Sequence, residues 1–181
     1  MNTKLSLEQL NRPDPETFSK MEKLPVVVIL ENIRSRSNIG SVFRSADAFL
    51  VKEIILCGYT SCPPHRDIQK TALGATETVT WRHEEDTQQA VAALRNQNYE
   101  VWAVEQSSQS VELSTFNPNP SKPLALIFGN EVDGVQQNTI DLCDGCIEIA
   151  QSGTKHSLNV AVCGGIVLYE IYRKSTRNHQ Y

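Results

Sequence analysis

Ile147-Glu148-Ile149-Ala150-Gln151-Ser152-Gly153-Thr154-Lys155-His156-Ser157-Leu158-Asn159 passes from a short apolar run, through a small polar loop, into a long segment of helical periodicity. That change of period reads as strand, loop, helix. Within the helical segment Leu158, Ala161, Val162, Gly165, Leu168 and Tyr172 recur at spacings that predict one buried stripe. Ser157 or Asn159 can cap the helix, because a short side-chain oxygen accepts from the unpaired N–H groups of a first turn. Backbone donors and small polar groups then face a loop centred on Gly153, a place suited to the polar end of a ligand. Most units of this composition are scaffold only, so a second feature has to raise this one.

That feature lies upstream. Leu124-Ala125-Leu126-Ile127-Phe128 is apolar throughout and ends in Gly129-Asn130-Glu131-Val132-Asp133-Gly134. Two strands that finish in Gly-, Asn- and Ser-rich loops predict a crevice at their carboxyl ends, where ligands sit in open α/β sheets. Further strands are expected at Pro25–Leu30, Glu53–Cys57, Thr76–Trp81 and Tyr99–Val104. Helices are expected to open near Asn38, Ile68, Gln136 and the capping box Asp86-Thr87-Gln88-Gln89. The alternation predicts an α/β fold, a mostly parallel sheet with helices on both faces. Asp14-Pro15-Glu16 reads as an N-cap with Pro at the first helical position, giving a short helix through Met21. Residues 1–24 form an N-terminal extension to a core of 25–172, all within a single domain.

At 181 residues the chain is of ordinary single-domain size. Its 40% hydrophobic and 21% charged content is that of a globular protein. No apolar run approaches the ~18 residues that a membrane helix needs, and no signal-peptide core opens the chain, so a cytoplasmic protein without a membrane partner is expected. Five cysteines, an odd number in such a setting, argue for reduced thiols. Cys57 and Cys62 with Cys143 and Cys146 supply enough thiols for zinc, but Cys57 closes an apolar strand and Cys146 opens another, where small hydrophobes belong. No metal is expected. The net charge of −4 counts mildly against a nucleic-acid binder, which is usually basic. Two local clusters remain, Arg34, Arg36 and Arg44, and Arg173, Lys174 and Arg177, each either a solvated face or a phosphate-binding patch.

The sequence carries no G-x-G-x-x-G after its first strand, no Walker loop and no G-x-S-x-G. The polar residues that converge are Asn38, Arg44, Glu131, Ser157 and Asn159, beside loops that leave strands near Glu105, Gly129 and Ile149. Such loops suit a mostly neutral, adenosine-sized ligand better than a triphosphate, which would call for lysines and a metal.

Asn38-x-Gly40-x-x-x-Arg44, then Leu126-Ile127-Phe128-Gly129-Asn130-Glu131-x-x-Gly134, then Ile149-x-x-x-Gly153-x-x-x-Ser157-Leu158-Asn159 resemble, in order and internal spacing, the three motifs of SpoU (TrmH-like) RNA methyltransferases of the SPOUT superfamily. The resemblance spans roughly residues 25–172. It implies a C-terminal trefoil knot, an S-adenosylmethionine pocket, a homodimer, and transfer of a methyl group to a ribose 2′-hydroxyl of tRNA or rRNA. By the same resemblance Gly129, Ile149 and Leu158 would contact the methyl donor, with Glu105 at its ribose or amino acid part. Arg44 would be the catalytic arginine, and Asn38, Glu131, Ser157 and Asn159 would orient it and the RNA phosphate. Arg34, Arg36, His65 and Arg66 become candidates for RNA contact. The family often has Pro-Met where Ala150-Gln151 stand, and Gly where Val132 stands. The small residues Ala161, Gly164 and Gly165 allow close approach of another backbone, from this sheet or from a second copy. The short flanks, 1–24 and 173–181, favour a compact RNA such as tRNA. The rival readings are a noncatalytic RNA-binding protein that keeps the knotted fold and a small-molecule α/β enzyme.

Overall fold

The structure is a computed structural model that describes residues 1–6 and 8–177, the side chain of Arg177 lying outside the description. A 3-10 turn at Glu8–Leu10 precedes α1 (Pro15–Lys20), whose first turn is capped by the Asp14 carboxylate accepting from Thr17 N at 2.8 Å. The core then runs β1 (Leu24–Glu31), α2 (Arg36–Ala48), β2 (Val51–Cys57), α3 (Arg66–Ala72), α4 (Ala75–Thr78), β3 (Trp81–Glu84), α5 (Thr87–Asn96) and β4 (Glu100–Val104). It continues through β5 (Val111–Glu112), β6 (Leu124–Phe128), α6 (Gln137–Ile140), β7 (Gly145–Glu148) and α7 (Val160–Arg177).

The strands form one seven-stranded sheet in the order β3-β2-β1-β6-β4-β7-β5, and every neighbouring pair is parallel. An α/β sheet of this kind is buried on both faces, which is why β1 and β6 read as unbroken apolar runs. Along β1, Val26, Val28 and Leu30 enter one apolar layer, with Val42 and Phe43 of α2 and Leu168 and Ile171 of α7. Val27 and Ile29 enter the other, with Ala90, Val91 and Leu94 of α5. Each such aliphatic side chain contributes roughly 1.5–3 kcal/mol by leaving water. From β1 the chain moves outward to β2 and β3, then crosses back to build β4, β6 and β7 on the other side. The reversal leaves the carboxyl ends of β6, β4 and β7 beside that of β1, the place where open sheets bind ligands.

Three expectations shift. Thr76–Thr78 are helical, and the strand begins at Trp81, which pairs with Ile54. The threonine hydroxyls here serve neighbouring side chains, Thr76 donating to Gln69 and Thr78 to Asp47. The strand around Ile147 covers Gly145–Glu148, so Ile149 already lies in the loop. The buried face of α7 is Val160, Gly164, Val167, Leu168 and Ile171, while Val162, Ile166 and Tyr169 are 53%, 41% and 54% exposed. Leu158 and Val162 therefore leave the predicted stripe. Two adjacent faces of this helix are apolar, and periodicity alone does not say which one meets the sheet.

Candidate functional site

The carboxyl ends of β4, β6 and β7 open into a cleft of about 300 Å³. Val104, Phe128, Ile147, Ile149 and Leu158 supply its apolar surface, and the Gly129–Gly134 loop, Glu105 and Ser157 its polar edges. Of the residues assigned from the sequence to a donor, Gly129, Ile149, Leu158 and Glu105 all line this cleft.

The Gly129–Gly134 loop is closed on itself. Asn130 N donates to Gly134 O at 3.0 Å and Gly134 N to Asn130 O at 2.9 Å. The Asn130 side chain, 7% exposed, accepts from Val132 N and Asp133 N and donates to Asn32 O and the Tyr59 hydroxyl. All the hydrogen-bonding capacity of this buried amide is thus met, which removes the penalty of burying it. Gly134 sits at φ 69°, a left-handed backbone that glycine adopts without strain.

Glu131 projects from that loop into the first motif. Its carboxylate accepts from Arg34 N and Ser35 N, each at 3.0 Å, and from Asn38 Nδ2 at 3.0 Å. Burial pushes the Glu131 carboxyl up, but the N–H groups of Arg34 and Ser35 and the Asn38 amide together hold it below its ordinary value. Asn38 Oδ1 in turn accepts from Asn159 Nδ2 at 3.0 Å. The three separated segments therefore meet in one relay, Glu131–Asn38–Asn159. Asn159, not Ser157, caps α7, its Oδ1 accepting from Ala161 N at 2.9 Å and Val162 N at 3.3 Å. Ser157 lines the cleft and is exposed.

Arg44 stands apart. It lies on the exposed side of α2 and outside the cleft lining. Its neighbour Ser45 faces α7, where a Cβ built on Gly165 would come 3.6 Å from Ser45 Oγ. Gly164 and Gly165 thus pack against α2 and β6 of their own chain. Arg34 and Ser35 edge an open notch with Glu131 and Val132. Arg36 Nε donates to Ser61 Oγ at 3.2 Å, and Arg66 opens α3. His65 caps that helix, its Nδ1 accepting from Asp67 N at 3.2 Å. Arg173 pairs with Glu170, and Lys174 donates to the carbonyls of Leu113, Ser114 and Phe116. Arg173 and Lys174 therefore fasten the chain rather than form a free phosphate patch, and the side chain of Arg177 lies outside the described residues. Cys57 and Cys146 are buried in the apolar layer beneath α5, and burial pushes the Cys57 thiol up to about 12. No group of metal-ligating side chains occurs among the described residues.

The sequence reading passed over Glu31, Asn130, Tyr59 and Thr139. Glu31 is fully buried and accepts from Gln136 N at 2.9 Å and the Thr139 hydroxyl at 2.6 Å. A carboxylate closing a wholly apolar strand was the available signal, since a buried charge needs partners.

A seven-stranded parallel sheet with a cleft at its carboxyl ends, and a polar relay joining three separated segments beside it, defines an open α/β fold with a candidate ligand site. The chain belongs to the SpoU rRNA Methylase family, which it matches over residues 25–169. It is 30% identical over 167 residues to the 23S rRNA (guanosine-2'-O-)-methyltransferase RlmB of Vibrio parahaemolyticus, covering 92% of this chain and 66% of that protein. Against the RlmB of Haemophilus influenzae it is 29% identical, covering 92% and 67%. The chain thus spans about two thirds of the length of these curated relatives. In shape it is similar to the A. aeolicus TrmH/SpoU tRNA modifying enzyme, with a TM-score of 0.80 at 23% identity over 90% of this chain and 81% of that one. It is also similar to the AdoMet-bound rRNA methyltransferase of Sinorhizobium meliloti, with a TM-score of 0.77 at 26% identity over 91% and 60%.

Proposed function

We propose that this protein methylates a ribose 2′-hydroxyl of RNA, using S-adenosylmethionine as the donor. The observation that carries the reading is the Glu131–Asn38–Asn159 relay, which fastens the three motif segments together beside the cleft. The cleft suits the donor. Its volume is at the lower end of the range for small-molecule sites, its walls are apolar, and its polar groups are backbone and small side chains. Gly129, Ile149 and Leu158 would hold the adenosine part through backbone and apolar contact. Bound there, S-adenosylmethionine supplies an activated sulfonium methyl.

The chain's own residues position the acceptor. Aligned approach at about 3 Å supplies much of the acceleration, and the relay gives the rim of the cleft one geometry. A guanidinium offers only donors and no acceptor, so Arg44 acts by stabilising negative charge that develops on the attacking oxygen. It is not the base. Asn38, Glu131, Ser157 and Asn159 orient the RNA at the rim of the cleft.

The protein works as a homodimer in this reading. Val162, Ile166 and Tyr169 form an exposed apolar stripe on α7, and an apolar face of that kind marks an association surface. Arg44, next to the α2–α7 contact, would then stand at the joint between copies rather than over its own cleft. The C-terminal knot that the SpoU resemblance implies belongs to the same reading. A cytoplasmic location belongs to the same reading, and no described helix is long and apolar enough to cross a membrane.

The test is mass-spectrometric mapping of ribose methylation in rRNA and tRNA from cells with and without the protein, together with calorimetry of S-adenosylmethionine. A 2′-O-methyl mark lost with the protein and restored by adding it is expected. Retention of RNA with no donor binding would instead support a noncatalytic RNA-binding protein.

A further inference from the structure

We propose that Glu31 and Glu105 form a pair of positioning carboxylates that set the width of the cleft. They receive two successive backbone N–H groups at the end of the Gly129–Gly134 loop. Glu105, just past β4, accepts from Val135 N at 3.0 Å. Glu31, at the end of β1, accepts from Gln136 N at 2.9 Å. Each carboxylate uses its second oxygen on another donor, Gln106 N for Glu105 and the Thr139 hydroxyl for Glu31. The inference rests on the methyltransferase reading and changes the role of Glu105 within it. With each oxygen already holding an N–H group, Glu105 acts on the donor through the loop it fastens.

The local sequence is shaped around this arrangement. A Cβ built on Gly134 would come 2.2 Å from Glu105 Oε2, so only glycine lets the carboxylate reach the Val135 amide. A Cβ built on Gly129 would come 2.1 Å from the Gly134 carbonyl carbon and from Val135 N, so the returning end of the loop lies directly on the end of β6. The loop carries Glu131 and forms one wall of the cleft. Its far end is thus fastened to β1 and β4, the strands on either side of β6. Two such hydrogen bonds in succession fix both the height and the tilt of the loop.

The clamp is tested first in the free protein by amide hydrogen exchange, which needs neither donor nor RNA. Val135 and Gln136 are expected to exchange at least about 100-fold more slowly than unstructured amides, as hydrogen-bonded groups outside fraying segments do. Exchange at the unstructured rate would overturn the proposal. The second arm measures the S-adenosylmethionine Kd by calorimetry for the wild type, Glu105→Gln, Glu31→Gln and the double variant, with Tm as a check on folding. Glu105→Gln turns an amide NH2 or a single shared oxygen towards two N–H groups, and should weaken donor binding about tenfold. Since both substitutions loosen the same loop, the double variant should lose less than the product of the single effects. Unchanged affinity in a folded Glu105→Gln, or losses that simply multiply, would overturn the clamp. A wild type that binds no donor but shows protected Val135 and Gln136 amides would sink the methyltransferase reading and leave the clamp standing.

Discussion

Two loops face each other across the cleft and are held in opposite ways. The Gly129–Gly134 loop is closed by its own backbone pair, pinned by Asn130 and joined through Glu131 to Arg34, Ser35 and Asn38. The loop from Gln151 to Leu158 is exposed at every position. Among the described residues, its one hydrogen bond to the rest of the chain runs from Gln106 Nε2 to His156 O at 3.1 Å. One wall is built before any ligand arrives and the other is not. Segments with few buried contacts and few hydrogen bonds are those that open at low cost. The difference is that the fastened wall keeps its shape through its own hydrogen bonds, while the open one has little of its own to hold it.

The largest expected effect concerns a residue on neither loop. If the fastened wall supplies positioning only, charge stabilisation has to come from Arg44. Arg44→Ala should lower kcat by about 10²–10³-fold, the scale of losing one group that stabilises a developing oxyanion. The Kd for S-adenosylmethionine should barely move, because Arg44 does not line the cleft. Single-turnover methylation alongside calorimetry separates the two. Near-normal turnover in Arg44→Lys would show that charge suffices without the planar fork.

Glycines in the two loops sharpen the contrast directly. Gly134 has φ 69° and its missing Cβ would meet the Glu105 carboxylate, whereas a Cβ on Gly153 meets nothing within 4 Å. Gly134→Ala should cost about 1–3 kcal/mol through backbone strain and the clash. Gly153→Ala should stay within about 0.5 kcal/mol, as at an ordinary surface position. Denaturant unfolding of both variants reads the difference, and equal costs would remove the distinction between the loops.

The junction of the open loop with α7 comes next. Asn159→Ala removes the cap and should cost about 1 kcal/mol, while Ser157→Ala should leave Tm near that of the parent, since Asn159 makes the cap hydrogen bonds.

This pair also shows what could be read from the chain and what could not. The unbroken apolar runs of Val26–Leu30 and Leu124–Phe128 identify strands buried on both faces, and the resulting parallel sheet follows from their alternation with helices. The ends of those strands were legible too, because Gly, Asn and Ser mark loops whatever the tertiary structure. The burial side of α7 was not, because Val160, Val167 and Ile171 compete with Val162, Ile166 and Tyr169 on hydropathy alone. Nor was the choice of Asn159 over Ser157, which depends on where α7 begins. Glu31 was hardest of all: its partners Gln136 and Thr139 lie more than a hundred residues away in sequence, and no local pattern encodes such a pairing. Local period set the layers, and long-range hydrogen bonds set the site.

Acid should produce the smallest effect and act on the fastened loop. Glu131 is held below its ordinary value of 4.5 by the donors that converge on it. A carboxyl lowered in the folded state contributes stability that is complete above its unfolded value and lost as the pH falls through the lowered one. At neutral pH the junction of Glu131 with Arg34, Ser35 and Asn38 is therefore intact, and below about pH 4.5 it weakens as the carboxylate takes up a proton. Replacing Glu131 by Gln removes the titrating group while keeping one acceptor oxygen, so the variant should start from a lower Tm at neutral pH. Between about pH 5 and about pH 3 it should then lose less than the wild type does, because the wild type alone has this ionised acceptor to give up. Differential scanning calorimetry across that interval reads the two slopes. Parallel slopes would mean that Glu131 makes no pH-dependent contribution, and that the fastening of the loop rests on Asn130 and its own backbone pair.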